Sequence, residues 1–273
     1  MSAEQRLREG NLAQALDELQ KRVKANPADA KERLFLFQLL ATLGQWERAA
    51  NQLKLSAELD SSLLILAQIY RQAIAAESVR SKVFAGASSP VFMGEPASWA
   101  ALLLESLKLS CTDRYEQANE LREQALAEAP ATKGTINGQA FEWIADADAR
   151  FGPCLELIVD GKYVWAPFEK IRSLKMEPPS DLRDVIWMQA IVTWSNGGQT
   201  PALIPSRYPG SETAEKDALR LSRLTEWREP AAGTYIGVGQ RMLATDAGEY
   251  PLLEVREIVL ETAAPAAGAA TDE

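Results

Sequence analysis

Apolar residues recur at helical spacing through the first half of the chain. In the segment 11–25 they fall three or four positions apart and so share one face of a helix: Leu12, Leu16, Leu19 and Val23. Polar residues, glycine and proline separate this stretch from others of the same kind. The pattern predicts helices at 3–9, 11–25, 28–43, 45–58, 61–84, 97–110 and 113–129.

The helical half contains an internal repeat. The segment "EGNLAQALDELQKRVKANPAD" aligns with "LGQWERAANQLKLSAELDSSL", so that Gly10 falls on Gly44, 34 residues further on. A third copy, "DRYEQANELREQALAEAP", places Ala118 where the first has Ala15, 103 residues earlier. A period of 34 residues is that of tetratricopeptide helix pairs, and glycine suits the tight turn between two such helices. The pattern predicts a tetratricopeptide-like array, interrupted by a Gly/Pro/Ser-rich loop at 85–98.

The hydrophobic pattern becomes strand-like after Phe151. Short runs rich in valine, isoleucine and tryptophan are joined by sequences that favour hairpin turns, at Asp160-Gly161, Asn196-Gly197-Gly198 and Asp246-Ala247-Gly248. This pattern predicts a largely antiparallel sheet, with one short helix at 167–174.

Together the two patterns predict an α+β fold. A tetratricopeptide-like helical domain is expected at 1–131 and a β-rich domain at 132–262, with the boundary near "PATKGTINGQ". The remaining tail, 263–273, has no hydrophobic pattern and is predicted to be disordered.

Composition narrows the classes of function. The net charge of −9 argues against a nucleic-acid-binding protein, because phosphate contacts need clustered lysine and arginine. The absence of histidine removes Ser-His-Asp and Cys-His mechanisms and imidazole metal sites, and the two cysteines form no zinc or redox motif. Neither a signal peptide nor a membrane-spanning stretch is evident, so we expect a cytoplasmic protein without metal or cofactor.

One cluster of acids invites a catalytic interpretation. The stretch "FEWIADADARFGP" places Glu142, Asp146 and Asp148 close together, just before Arg150. A carboxylate-dependent, metal-assisted hydrolase could use such residues, although a hard cation needs roughly six oxygen ligands and the pattern of a calcium loop is missing. The favoured interpretation is structural, with the acids capping backbone N–H groups or pairing with arginine.

A second conspicuous segment is "PSRYPGSE", which must form a loop after a strand. Arg207 and Tyr208 could bind an anion there, but a packed structural loop is the favoured interpretation, with Tyr208 as its anchor and Arg207 paired with an acid. Tryptophans concentrate in this half of the chain, and one or two of them are expected to anchor an interface. Trp143 is one candidate.

Several blocks together resemble one family. The run "NGQAFEWIADADARFGPCLELIVDGKYVWAPFEKI", followed by "DLRDVIWMQA", "LIPSRYPGSE" and "LRLSRLTEW", is similar to the ImpE/SciE proteins, also called TagJ, which are accessory proteins of bacterial type VI secretion. The resemblance implies a non-enzymatic adaptor that binds the N-terminal helix of the sheath subunit TssB. It also implies a link to the ClpV ATPase, which recycles contracted sheath.

The repeat alignment indicates where such a helix could bind. Stacked helix pairs present a concave surface, and the residues expected to face it are Lys31, Leu34, Gln38 and Ala41. Trp143, Arg207 and Tyr208 are further candidate partner contacts in the β-rich half. Which half forms the main groove, and the oligomeric state, stay open at this point.

Overall fold

A computed structural model describes residues 2–262, and the tail predicted to be disordered lies outside this range. The predicted helices of the first half are present, with ends within a few residues of those expected. They are α1 (Ala3–Arg8), α2 (Leu12–Ala25), α3 (Ala30–Thr42), α4 (Trp46–Leu59), α5 (Leu64–Phe84), α6 (Ser98–Ser110) and α7 (Tyr115–Glu128). A 3-10 turn at Ser61–Leu63 precedes α5.

Local sequence explains where these helices begin and turn. The Asn11 side chain caps α2 by accepting from the backbone N–H of Gln14 at 3.1 Å. The repeated glycines lie in the left-handed region that a tight turn requires, with φ of +76° at Gly10 and +66° at Gly44. In the third copy Asp113 occupies the corresponding place and adopts the same conformation, with φ of +58°. The turn is therefore preserved where the glycine is not.

The array is interrupted at α5. This helix is 21 residues long and continues through the position, near Ser78, where the 34-residue period would place another turn. α5 packs against α4 and also contacts the sheet, at β6 and through Arg80 at Glu156 of β5.

The second half is built mainly of strands, and one further strand, β1, lies in the loop at 85–98 of the helical half. They are β1 (Val91–Phe92), β2 (Gly134–Ile136), β3 (Gln139–Phe141), β4 (Ile144–Asp146), β5 (Cys154–Val159), β6 (Lys162–Pro167), β7 (Ile171–Met176), β8 (Trp187–Trp194), β9 (Gln199–Pro205), β10 (Thr225–Ala231), β11 (Thr234–Gly239), β12 (Met242–Thr245), β13 (Gly248–Pro251) and β14 (Glu257–Leu260). One short helix, α8 (Asp217–Arg220), follows β9.

A nine-stranded sheet dominates, in the order β1-β6-β5-β9-β8-β7-β14-β2-β3. Its pairings are antiparallel except for β1 with β6. A three-stranded sheet, β13-β12-β4, and the hairpin β10-β11 complete the half. The α+β class with a largely antiparallel sheet is thus confirmed.

The short helix predicted at 167–174 is present only as a single 3-10 turn, and the rest of its predicted extent is wrong. A 3-10 turn covers only Phe168–Lys170, and β7 begins at Ile171. β7 pairs with β8 on one side and with β14 on the other, so its backbone groups are satisfied by neighbours far away in the sequence. These long-range pairings override the local preference for a helix.

The large sheet buries its two faces differently. Along β5, Leu155 and Leu157 point into a core within the β-rich half, whereas Cys154 and Ile158 point towards the helices. The core on the helical side joins both halves of the chain. In it, Trp187 of β8 lies 5.9 Å from Trp46 and 5.7 Å from Tyr70, measured between ring centroids. The two halves therefore share one hydrophobic core.

The change from helices to strands falls between Glu128 and Gly134, next to the expected domain boundary. The division into domains at 1–131 and 132–262 stays a prediction. None of the helices between residues 2 and 262 combines the length and the apolarity that a membrane crossing requires.

Candidate functional site

Asp146 and Asp148 form a closed hydrogen-bonded turn at the end of β4. Asp146 Oδ1 accepts from the backbone N–H of Asp148 at 2.9 Å and from the hydroxyl of Tyr208 at 3.0 Å. Asp148 accepts from the backbone N–H groups of Arg150 at 2.9 Å and Gly237 at 2.7 Å, and it forms a bidentate ion pair with the Arg150 guanidinium. Both acids therefore cap backbone groups and pair with arginine, as the structural interpretation predicts.

Asp146 is also one end of a buried chain of charges. Arg241 pairs with Asp146 and with Glu156, and Glu156 pairs in turn with Arg80 of α5 through two hydrogen bonds of 2.7 Å. Arg241 also donates through Nε to the carbonyl of Pro205 at 2.9 Å. It thus fills the gap between β5 and β9, which pair only at Ile158–Leu203 and Val159–Ala202. The chain of charges connects the helical half to the sheet.

The two carboxylates that share Arg241 differ in their proton affinity. Burial raises the pKa of Asp146 to about 7, because the loss of hydration outweighs the attraction of Arg241. Burial also opposes the charge of Glu156, but Arg80 and Arg241 together hold the pKa of Glu156 below its ordinary value. Glu156 has two cationic partners and keeps its charge, whereas Asp146 is the acid that takes up a proton first.

Glu142 lies apart from these acids. Its side chain is 68% exposed and pairs with Lys133 on the surface. The three carboxylates proposed for a hydrolase therefore do not converge on one site. Within residues 2–262 no group of three or more acidic or thiol side chains is arranged to hold a metal ion.

Arg207 and Tyr208 are interior residues that join elements together. Arg207 donates to the carbonyls of Thr42 at 2.7 Å and Ala41 at 3.2 Å. Its guanidinium thereby caps the C-terminal end of α3. It also donates to the carbonyl of Arg220 at 2.7 Å, so the expectation that it pairs with an acid is wrong. Burial lowers its pKa to about 10, and the side chain stays charged at neutral pH. Tyr208 is fully buried and anchors the loop, as expected.

The concave face expected on α3 is partly filled by the chain itself. Gln38 and Ala41 are buried, and Arg207 from the β-rich half reaches the end of the helix beside them. This burial corrects the expectation that all four residues line an open groove. Lys31 is exposed and Leu34 is half-buried. Trp143 is 40% exposed on the β-rich half, next to Glu142.

An open apolar groove lies instead between α4 and α5. It has a volume of about 590 Å³, and small or aliphatic side chains form the apolar part of its lining: Ala50, Leu53, Ala57, Leu64, Ile65 and Ala67. Leu64 and Ile65 are 58% and 76% exposed, which is unusual for aliphatic residues. Polar and charged side chains form the rim: Asn51, Lys54, Glu58, Gln68 and Arg71. The arrangement suits the apolar face of an amphipathic helix.

Two features of the sequence indicate the exposed apolar residues of the groove and the buried charge of Glu156. The run Leu63–Ala67 is apolar at five consecutive positions, more than one buried helix face can accommodate, so part of it must be exposed. Glu156 stands between Leu155 and Leu157 in an otherwise apolar strand, which indicates a buried partner of opposite charge. The identity of that partner, Arg80, is not evident from the sequence.

The chain is similar to known proteins over almost its whole length. The family model described as "ImpE protein" matches residues 138–259. The type VI secretion system accessory component TagJ of Pseudomonas aeruginosa is 50% identical over 261 residues, covering 96% of this chain and 92% of that protein. The crystal structure of protein VPA1032 from Vibrio parahaemolyticus is similar with a TM-score of 0.86 at 27% identity, covering 96% of this chain and 98% of that one.

Proposed function

This chain belongs to the ImpE family, and we propose that it is an accessory protein of a bacterial type VI secretion system, acting in the cytoplasm by binding another protein and not by catalysis. Its relative in Pseudomonas aeruginosa is an accessory component of such a system, and the two sequences align over almost their whole length.

The groove between α4 and α5 is the observation that carries this proposal. An amphipathic helix laid in the groove would cover Leu64 and Ile65, and its polar side chains would meet the charged rim. Its lining contains three alanines, which allow the backbone of a partner helix to approach closely. The occupant that we propose is the N-terminal helix of the sheath subunit TssB, with a link to ClpV-dependent recycling of the sheath.

The buried acids support a role without catalysis. The carboxylate oxygens of Asp146 and Asp148 are occupied by arginine, tyrosine and backbone donors, and Glu142 lies on the surface. No carboxylate of the cluster is left free to act as a general base on a substrate.

The residues predicted to contact a partner divide into two groups. Lys31, Leu34 and Trp143 retain exposed surface and are proposed as direct contacts. The others are buried, and for them we propose an indirect role: Gln38, Ala41, Arg207 and Tyr208. Arg207 joins α3 to the β-rich half through the carbonyls of Ala41 and Thr42, and Tyr208 anchors its loop to Asp146.

Calorimetric titration of the full chain with a synthetic TssB N-terminal helix tests the proposal. We expect saturable binding by the parent and at least about tenfold weaker binding by Ile65→Asp, which corresponds to a loss of about 1.4 kcal/mol. Val79→Asp is the matched control, because Val79 is an exposed aliphatic residue on the same helix but outside the groove. Absence of binding up to about 1 mM peptide would show that the TssB N-terminal helix is not a partner of this chain. Equal losses in both variants would refute the groove as its site.

A further inference from the structure

A second apolar hollow lies on the other side of the exposed ridge of α5. It has a volume of about 520 Å³ and is bounded by Ile69 and Gln72 of α5, the β5–β6 turn and the open face of β8 and β9. The α4–α5 groove uses Leu64, Ile65 and Gln68 of the same helix, so the two hollows share a helix but not their lining residues. We call this second hollow the sheet notch.

Sheet register shows why the notch is apolar and open. Directly paired residues share one face of a sheet, and Ile191 pairs with Pro201 on one side and with Lys175 on the other. This is the face that the helices cover elsewhere, at Ile158 and Leu203. At the notch only Ile69 and Gln72 of α5 border this face, and Ile191 is 45% exposed and Ile69 43% exposed. The floor of the notch is thus a piece of core-type surface without a covering element.

The rim of the notch is acidic. Asp160 stands in the β5–β6 turn and Glu177 follows the end of β7, and neither forms an ion pair within residues 2–262. The cation at the rim, Lys175, is already paired with Glu257 at 3.6 Å. Local charge therefore favours a cationic partner over an acidic one.

We propose that the sheet notch is a second docking site, which takes a basic protein segment with a large aliphatic side chain between lysines or arginines. The aliphatic side chain would enter between Ile69 and Ile191, and its basic neighbours would meet Asp160 and Glu177. Burying an aliphatic side chain supplies most of the affinity, whereas the acidic rim selects the sign of the partner's charge. This site does not depend on what occupies the α4–α5 groove.

Fluorescence anisotropy with defined peptides tests the site. The probe is a fluorescein-labelled hexapeptide with two central leucines between two pairs of lysines, and its twin carries glutamate in place of each lysine. We expect the full chain to bind the lysine peptide saturably and the glutamate twin at least about tenfold more weakly.

Ile191→Asp separates docking in the notch from general attraction between an acidic protein and a basic peptide. This variant adds negative charge, so general attraction would leave binding unchanged or strengthen it, whereas docking predicts a loss of at least about tenfold. Val259→Asp is the control, because Val259 is 42% exposed on the same sheet face, two strands away. Ile69→Asp, on the opposite wall, is a second variant that should also lose binding.

Three results would overturn the proposal: no saturation up to about 1 mM lysine peptide, equal affinity for the two peptides, or unchanged binding by both Ile191→Asp and Ile69→Asp. Thermal melts of each variant exclude unfolding as the cause of a loss. Binding of the TssB helix by Ile191→Asp should equal that of the parent, so failure here and failure of the proposed function are distinguishable.

Discussion

Arg80 on α5 and Glu156 on β5 are joined by two hydrogen bonds of 2.7 Å, and both side chains are buried. The pair links the last helix before the loop at 85–98 to β5, the third strand of the nine-stranded sheet. Arg241 extends it to Asp146, so that one continuous set of charges spans the boundary between the halves. Removing one charge would leave others buried without compensation.

We therefore expect Glu156→Gln to lower the free energy of unfolding by about 3–5 kcal/mol, because Arg80 and Arg241 would lose their shared counter-charge. Glu142→Gln is the matched control, since Glu142 pairs only with Lys133 on the surface, and such pairs contribute about 0–1 kcal/mol. Urea denaturation followed by tryptophan fluorescence measures both variants. Equal effects in the two would show that the buried pair contributes no more than the exposed one.

Asp146 gives the stability a defined dependence on pH. Its pKa is about 7 in the folded chain against an ordinary 3.8, so the folded state binds this proton more tightly than the unfolded state. The contribution of Asp146 to stability is therefore fully present below about pH 4 and is lost as the pH rises to about 7, by up to roughly 4 kcal/mol.

Asp146→Asn removes this titration and provides the comparison. The unfolding free energy of the parent minus that of Asp146→Asn should fall between pH 4 and pH 7. Denaturation curves at several pH values measure it. A difference that stays constant, or that grows with pH, would show that Asp146 is charged throughout this range and that Arg241 outweighs the effect of burial.

Asp148 combines two roles that substitutions can separate. Alanine removes both the caps on Arg150 and Gly237 and the ion pair with the Arg150 guanidinium. Asparagine keeps one acceptor for the backbone and loses the charge. We expect Asp148→Ala to be the more destabilising variant by about 0.5–2 kcal/mol, the usual contribution of a cap. Identical thermal melts for the two would assign the whole effect to the ion pair.

Replacement by alanine should destabilise the chain to different extents at Gly44 and at Gly10. Both Gly10 and Gly44 have positive φ, so alanine should cost about 1–2 kcal/mol at either position. At Gly44 a Cβ atom would also lie 2.6 Å from Cγ of Glu212, whereas at Gly10 the nearest atom would be 3.8 Å away, on Arg223. Gly44→Ala should therefore destabilise the chain more than Gly10→Ala in chemical denaturation.

Glu212→Ala is the test of that explanation. Combined with Gly44→Ala, it should bring the cost close to that of Gly10→Ala, because the clash disappears while the strained backbone remains. If the double variant were as unstable as Gly44→Ala with Glu212 intact, the close approach of Glu212 would not be the cause.

Sequence reasoning succeeded where structure depends on neighbours in the chain. Helical spacing located α2 to α7, and the turn sequence Asp160-Gly161 correctly joins β5 to β6. It failed where distant segments meet. The 167–174 segment is mostly strand because β8 and β14 flank it, and Arg207 from the β-rich half reaches the end of α3, where Ala41 is buried.

In the candidate site, too, contacts between neighbours in the sequence were predictable and contacts between distant segments were not. The acids of "FEWIADADARFGP" were expected to cap and to pair locally, and Asp148 with Arg150 does so, because the two are neighbours in sequence. The partners of Asp146 come from positions 208 and 241, which no spacing rule connects with it. The acceptors of Arg207 are main-chain carbonyls, and because every residue has one, the sequence cannot indicate which of them it binds.

Trp187 belongs to a strand but is surrounded by rings from the helical half, and its indole N–H donates to Glu77 of α5 at 2.9 Å. Cutting the polypeptide between Glu128 and Gly134 would give each fragment a bare aromatic surface, and neither would be expected to stay in solution alone. For the same reason, a helical half transplanted from a relative would fit only if the facing residues of β8 were exchanged with it. The two halves must therefore evolve together.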